Sequence, residues 1–400
     1  MNIVYIHSSY NPNDLIGNWF QVTRQWIRDN GGDAFFAIKY THRQVQPDDI
    51  QVGNSLSCGI HARMFDRFWL QDCFSYLATR KFLRRLDEIK PDIIHCHVVN
   101  DCFMHLGLFC NYVNKRGIKV VWTFHDARVL TGACACPCYA ECDQWKTECR
   151  RCPKEKRFIA PRHEWMNGVS LVHKYRKKHI GSIQDLTIVT PSQWMKSLVD
   201  QSYLRDKKCV VINNGINLSV FHPVPSTIKE EYAIPADKKW LLSVANPIWQ
   251  MKGRDYLLRL VDELPDEYYM ILVGCLPKDV EALKGRCNVL AFPRVARERL
   301  VQFYSVADLF INPTLADNFP TVNLECQACG TPVVAFDSDG TRETVDPNSG
   351  VVVERANYDA LKKAILDFHF EGVEEKCVYF ARQYNQEHTV QQYIQLYRSL

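Results

Sequence analysis

No stretch of this sequence is apolar for long enough to span a bilayer. The opening residues MNIVYIHSSY carry neither a charged leader nor an apolar segment of signal-peptide length, so a cytoplasmic protein is the expectation. Internal repeats and low-complexity tracts are also missing, which argues against a solenoid or a long disordered tail. A strong charge of one sign is lacking too, since the net charge is only +4 over 400 residues, and no nucleic-acid partner is expected.

The small total hides an uneven distribution. Residues 1–215 hold 30 Lys/Arg against 20 Asp/Glu, a net +10, and the remainder holds 19 against 25, a net −6. Two basic clusters stand out: Arg150, Arg151, Lys154, Lys156 and Arg157, and then Lys174, Arg176, Lys177 and Lys178. They suit anionic lipid headgroups, hence peripheral contact with the inner face of a membrane, or an acidic acceptor. A solvated helix face accounts for them equally well.

What is plentiful is cysteine, with 17 residues. Without an export signal these do not form a disulfide scaffold, and clustered ones read as metal ligands or redox sites. Cys96, Cys209, Cys275 and Cys326 stand singly in apolar runs and read as small buried hydrophobes.

Short β-branched runs alternate with helical patterns along the whole chain, the signature of parallel sheets built from βαβ units. The first series of strands is NIVYIH, AFFAIKY, DIIHCH, KVVWTFH, LTIVT and VVI. After a polar stretch through Pro223 and Pro225 comes a second: WLLSVAN, YYMILVG, NVLAF, DLFINP, PVVAF and GVVVE. Helices are expected near Phe74–Ile89, after a capping Ser192, and from about Val373 to the end. The fold class is therefore α/β, with two doubly wound Rossmann-like domains facing across a cleft and ligands at the carboxyl ends of the strands. The expected boundaries are 1–215 for the first domain, with a cysteine-rich insertion at 131–153, 216–385 for the second, and 386–400 for a helix crossing back.

The most specific segment is ADLFINPTLADNFPTVNLECQACGTPVVAFDSDG. Asp317 precedes a helix that begins near Pro320, so the backbone amides of Asn318, Phe319 and Thr321 are placed to meet phosphate or sugar oxygens. Glu325, one turn into that helix, is suited to both hydroxyls of a ribose. The bland alternative is a helix-terminal acid at Asp317 and a solvated residue at Glu325.

This segment resembles the acidic signature of the family-four retaining glycosyltransferases of GT-B fold, with Asp317 in the place of the first glutamate and Pro320 in that of a glycine. The resemblance implies that Asp317 contacts the transferred sugar and Glu325 the nucleotide ribose. NNGINLSVFHP, from Asn213 to Pro223, is similar to the family's hinge, with Gly215 at its turn. SVANPIWQMKG places Lys252 and Gly253 where the family holds a phosphate-binding lysine. Asn246 stands where many relatives have arginine, leaving Arg254 to assist Lys252. DSDGTRETV resembles the family's glycine loop, with Gly340 and Thr341 near the donor and Arg342–Glu343 either there or paired on the surface. Gly17, with Asn18, corresponds to a loop after the first strand that approaches the phosphates.

At the end of KVVWTFH, His125 and Asp126 lie beside the reacting sugar by the same resemblance, His125 holding a hydroxyl and Asp126 fixing its tautomer or binding acceptor hydroxyls. A strand-end histidine bonded to backbone is the plain alternative. In TGACACPCYAECDQWKTECRRCP, Cys149 and Cys152 have zinc-knuckle spacing. Cys134 and Cys142 complete a four-thiolate structural zinc site in the pattern of bacterial relatives, against reduced thiols or disulfides.

The function so implied is retaining, metal-independent transfer of a sugar from a UDP- or GDP-sugar to a saccharide or lipid-linked acceptor, in bacterial surface polysaccharide synthesis. Lys252, Asp317 and His125 are the expected catalytic residues, with no catalytic cofactor. A sugar-nucleotide epimerase of the same fold and a non-catalytic zinc-containing binding protein are the alternatives.

Overall fold

The computed structural model describes residues 1–9, 15–43, 45–150, 152, 166–235 and 237–400. The chain divides into two compact units, Met1–Ile212 with Val390–Leu400, and Asn213–Thr389.

In the first unit seven strands form one sheet: β1 (Asn2–His7), β2 (Asp33–Lys39), β3 (Ile50–Val52), β4 (Ile93–Cys96), β5 (Lys119–Thr123), β6 (Leu186–Thr190) and β7 (Lys208–Val211). Their order is β3-β2-β1-β4-β5-β6-β7, with every neighbouring pair parallel. Runs such as IIHC and LTIVT are buried at every position, because a parallel sheet is covered by helices on both faces. Alternate residues feed different cores. Val4, Ile6, Ile94 and Trp122 join one cluster, and Ile3, Tyr5, Ile93 and Val121 the other. The latter core is completed by Val390, Tyr393, Ile394 and Tyr397 of the helix Gln386–Ser399.

The second unit holds six parallel strands, β8 (Lys239–Val244), β9 (Tyr268–Val273), β10 (Val289–Phe292), β11 (Leu309–Asn312), β12 (Val333–Asp337) and β13 (Val351–Glu354). Their order is β10-β9-β8-β11-β12-β13. In each sheet the winding reverses once, between β1 and β4 and between β8 and β11. Loops diverge at such a reversal and leave a crevice at the carboxyl ends of those strands.

Two local expectations differ from the structure. β3 has three residues, of which only Val52 is buried, too little to register as an apolar run. The helix expected from Phe74 starts at Tyr76, because Ser75 adopts a left-handed φ of 61° that no helix interior accepts. Ser192 does cap the helix Gln193–Asp200, its Oγ accepting from the Met195 amide at 3.0 Å. Among the described residues no helix is long and apolar enough to cross a membrane.

Candidate active site

At the reversal in the second sheet, the loop after β8 closes with a short 3-10 turn, Gln250–Lys252, and the loop after β11 carries Asp317. The two are knitted together by the Leu315 amide, which donates to the Met251 carbonyl at 2.8 Å. Gly253 makes the approach feasible. Its φ is +80°, and a Cβ there would sit 2.2 Å from the Pro313 carbonyl oxygen, closer than any side chain permits. The outcome is an ion pair between Lys252 Nζ and Asp317 Oδ2, with both side chains about a quarter exposed.

Asp317 does more than pair. Its Oδ1 accepts from the Phe319 amide at 3.2 Å, and its carbonyl accepts from the Gly340 amide at 3.0 Å, bringing the loop after β12 to the same place. The Phe319 amide expected to face a ligand is thus held by Asp317. The Phe319 ring is buried against Tyr384, and only its backbone lies at the site.

Pro320 occupies the cap position of the helix Thr321–Ala328. Glu325 lies one turn in, half-buried, with Oε2 accepting from the Tyr304 hydroxyl at 3.2 Å and Oε1 from the Thr321 hydroxyl at 3.3 Å. Burial lifts its carboxyl above the usual range, and those two hydrogen bonds pull the other way. The helix is fixed from beneath by a buried polar chain. Asn312 donates to Asn323 at 2.7 Å, and Asn323 donates to Thr344 Oγ1 at 2.9 Å. Tyr304 and Asn323 lack a signal in the sequence, since a tyrosine and an asparagine in apolar helices read as ordinary core.

Arg254 departs from its expected role. Its guanidinium makes a two-point contact with the buried carboxylate of Asp279, Nε to Oδ2 at 2.8 Å and Nη2 to Oδ1, and Nη1 bonds Asp255. A bidentate pair of this kind consumes the fork that a phosphate would need. Arg342 pairs with Asp337, from the end of β12, in place of Glu343.

In the first unit the reversal gathers histidines. His7 ends β1, His95 lies in β4, and His97 and His125 follow β4 and β5. The rings of His95 and His97 are 4.2 Å apart, and those of His97 and His125 are stacked at 5.2 Å and 17°. His97 Nδ1 lies 2.9 Å from His125 Nε2. Asp126, expected to fix that histidine, turns to Arg128 instead, accepting from its amide and its Nε at 2.8 Å each. The sequence hint to His97 was the alternation His95-Cys96-His97 at a strand end, which sends both imidazoles to one face of the sheet.

Burial, followed by the neighbouring imidazoles, holds His95 and His97 well below the ordinary histidine value of 6.5; burial takes His125 down to about 4. Folding therefore disfavours the charged forms. Their contribution to stability is complete above pH 6.5 and is lost as the pH falls from 6.5 through the folded value. For His125 the slope is about 1.4 kcal/mol per pH unit between 6.5 and 4. Thermal melts from pH 7.5 to 4.5 should show Tm falling steadily below 6.5, and a flat profile would contradict this.

Two further expectations need correction, and a third falls outside the described residues. Gly17 lies in the first turn of the helix Leu15–Asp29, not in a loop, and the side chain of Asn18 is outside the described residues. Arg176 is 1% exposed and ion-paired with Asp72, and Lys174 pairs with Glu148, so the second basic cluster is not a uniform solvated face. Of the first cluster, Arg151, Lys154, Lys156 and Arg157 fall outside the described residues.

Cys134, Cys142, Cys149 and Cys152 do line one small cavity, together with Trp145 and Val169. Yet among the described residues no three His, Cys, Asp or Glu are grouped to hold a metal. The cavity is apolar, and burial pushes the thiols of Cys134 and Cys149 up to about 12 and 11. The expected zinc site is thus unsupported among the described residues.

Residues 46–220 match the Glycosyltransferase Family 4 domain, and residues 225–384 match Glycosyl transferases group 1. A D-inositol 3-phosphate glycosyltransferase of Xylanimonas cellulosilytica is 34% identical over 162 residues, 36% of this chain and 39% of that protein. The putative colanic acid biosynthesis glycosyl transferase WcaC of Escherichia coli is 25% identical over 277 residues, 66% of this chain and 64% of that one. The matches thus span less than two thirds of these relatives' lengths. Among solved structures, sucrose-phosphate synthase of Thermosynechococcus elongatus superposes with a TM-score of 0.69 at 16% identity, covering 100% of this chain and 98% of the other. Anabaena HepE in complex with UDP gives 0.69 at 16% with 100% of both covered. Two parallel sheets of this topology, a lysine and a carboxylate at the second reversal, and the two domain matches agree: the chain carries a Glycosyltransferase Family 4 domain followed by a Glycosyl transferases group 1 domain and has the GT-B fold.

Proposed function

We propose that this protein transfers a sugar, with retention of anomeric configuration, from a UDP- or GDP-sugar to a hydroxyl of a saccharide or lipid-linked saccharide. The observation that carries the reading is the Lys252–Asp317 ion pair at the reversal of the second sheet, with Glu325 one turn into the helix that follows Asp317. Lys252 supplies a point cation for the diphosphate, the amides at the start of helix Thr321–Ala328 add positive potential, and Glu325 accepts the ribose hydroxyls. In this reading Asp317 receives a sugar hydroxyl once Lys252 turns to the phosphates. His125, in the first unit, holds a hydroxyl of the reacting sugar. These groups supply charge stabilisation without requiring a catalytic metal, and the departing phosphate takes the acceptor proton.

A role in surface polysaccharide assembly is supported by the name of the colanic acid relative. Peripheral contact with anionic lipid is supported by the pairing of exposed Leu56 and Ile60 with Arg63 and Arg67 on the helix Ser55–Phe68.

Calorimetry with UDP and GDP tests the nucleotide half of the reading. Glu325→Ala is expected to weaken the preferred nucleotide about ten- to hundredfold, the worth of hydrogen bonds to a charged group. Unchanged affinity would remove Glu325 from the site. Conversion of the sugar nucleotide to an isomer in the absence of acceptor would favour an epimerase.

A further inference from the structure

The histidine stack of the first unit holds more information than proximity. His95 is immobilised on both sides, with Nδ1 2.6 Å from the Tyr397 hydroxyl and Nε2 2.8 Å from Thr123 Oγ1, itself 3.0 Å from the Tyr393 hydroxyl. His97 lies against that fixed ring, its carbonyl accepts from Trp122 Nε1 at 3.0 Å, and Trp19 and Phe20 flank its imidazole. His97 is 5% exposed, whereas His125 is only partly buried. The pair therefore runs from a locked interior ring to one that solvent or substrate can reach.

Two neutral imidazoles share the contact between His97 Nδ1 and His125 Nε2 in one of two ways. Either His97 donates from Nδ1, or His125 donates from Nε2 and the His97 proton sits on its own Nε2. His97 Nε2 is buried and has no hydrogen-bond partner among the described residues. A proton there would be an orphaned N–H donor, which folded proteins avoid more strictly than an orphaned acceptor. The first arrangement is the one the surroundings favour.

We propose that His97 is a positioning residue which donates its Nδ1 proton to His125 Nε2, so that His125 carries its own proton on Nδ1 and meets substrate as a hydrogen-bond donor and not as a base. With Nε2 capped, His125 has no lone pair left to accept the acceptor proton. What it offers is an N–H aimed at an oxygen, the chemistry of holding a sugar hydroxyl or ring oxygen. The substrate half of this inference rests on the glycosyl-transfer reading, and the tautomer half stands on the geometry alone.

Nitrogen-15 NMR of the full chain, labelled on histidine, reads the tautomer directly from the couplings between ring nitrogens and ring protons. In the wild-type protein His125 is expected to be protonated at Nδ1 and bare at Nε2. His97→Asn places an amide N–H where Nδ1 stood and should preserve that state. His97→Leu should release His125 to a mixture of tautomers. In sugar transfer the Leu variant is expected to lose about tenfold or more in kcat, with the Asn variant recovering most of it, and with nucleotide affinity at the second unit unchanged in both. His125 found protonated at Nε2, or a Leu variant as active as the Asn variant, would overturn the proposal. Should His97→Leu fail to fold, the wild-type spectrum and the Asn variant still decide it. Full transfer activity in His125→Ala overturns the substrate half while leaving the tautomer result standing, and so separates the two.

Discussion

Replacing Lys252 with alanine is expected to lower kcat/KM for sugar transfer by about 10²–10³-fold, the loss seen when one preorganised charge-stabilising group is removed from an active site. The geometry makes the loss twofold in origin. Lys252 Nζ is the cation at the reversal of the second sheet, and its removal takes away the attraction for the leaving diphosphate. It also leaves Asp317 without its counter-charge, so a carboxylate now faces the incoming phosphates. Lys252→Arg should recover only part of the rate, because a planar fork replaces a compact point charge in a loop closed by Gly253 against Pro313. Asp317→Asn separates the roles, keeping nucleotide affinity while kcat falls. Steady-state kinetics with calorimetric nucleotide affinities check all three, and wild-type turnover in Lys252→Ala would remove the proposed leaving-group site.

The second large effect concerns folding. Asp72→Ala is expected to destabilise the protein by about 3–5 kcal/mol, because it leaves a buried guanidinium without its counter-ion. Arg176 is 1% exposed and fully engaged: Nε donates to Asp72 at 2.6 Å, Nη2 to Gln71 at 2.7 Å, and Nη1 to the carbonyls of Arg128 and Thr131 at 2.5 and 2.9 Å. One side chain thus ties the loop around Gln71 to the segment that follows His125. The double variant Asp72→Leu/Arg176→Met should cost clearly less than Asp72→Ala, since no charge is stranded. Urea unfolding measures both, and a double variant as unstable as the single one would show that hydrogen bonds to the loop carbonyls, not the buried charge, dominate.

These two sites illustrate where sequence reading succeeds and where it stops. The strand runs around Ile3, Val121, Leu241 and Val334 were legible because burial on both faces of a parallel sheet imposes a local, continuous apolar signal. The lysine after the first strand of the second unit was singled out by the family resemblance, and the two carboxylates around Pro320 by that resemblance together with their place at a loop-to-helix junction. Arg176, in contrast, reads as one more cation in the run Lys174–Lys178, and its partner lies 104 positions earlier. Arg254 reads as a second phosphate ligand, and Asp279 takes it from 25 positions away. The four clustered cysteines have metal-like spacing, yet the fold places them around an apolar cavity, and among the described residues no metal-holding group is found.

By itself the sequence determined the fold class, the succession of two βαβ series and the position of the acidic segment in the second, because each is written in periodicities and spacings a few residues long. Only the tertiary structure decided which charges neutralise one another, which histidine stacks on His125, and which basic side chains reach solvent. Those outcomes depend on strand order and on burial, and both arise only when segments distant in the chain are brought together and water is excluded from between them.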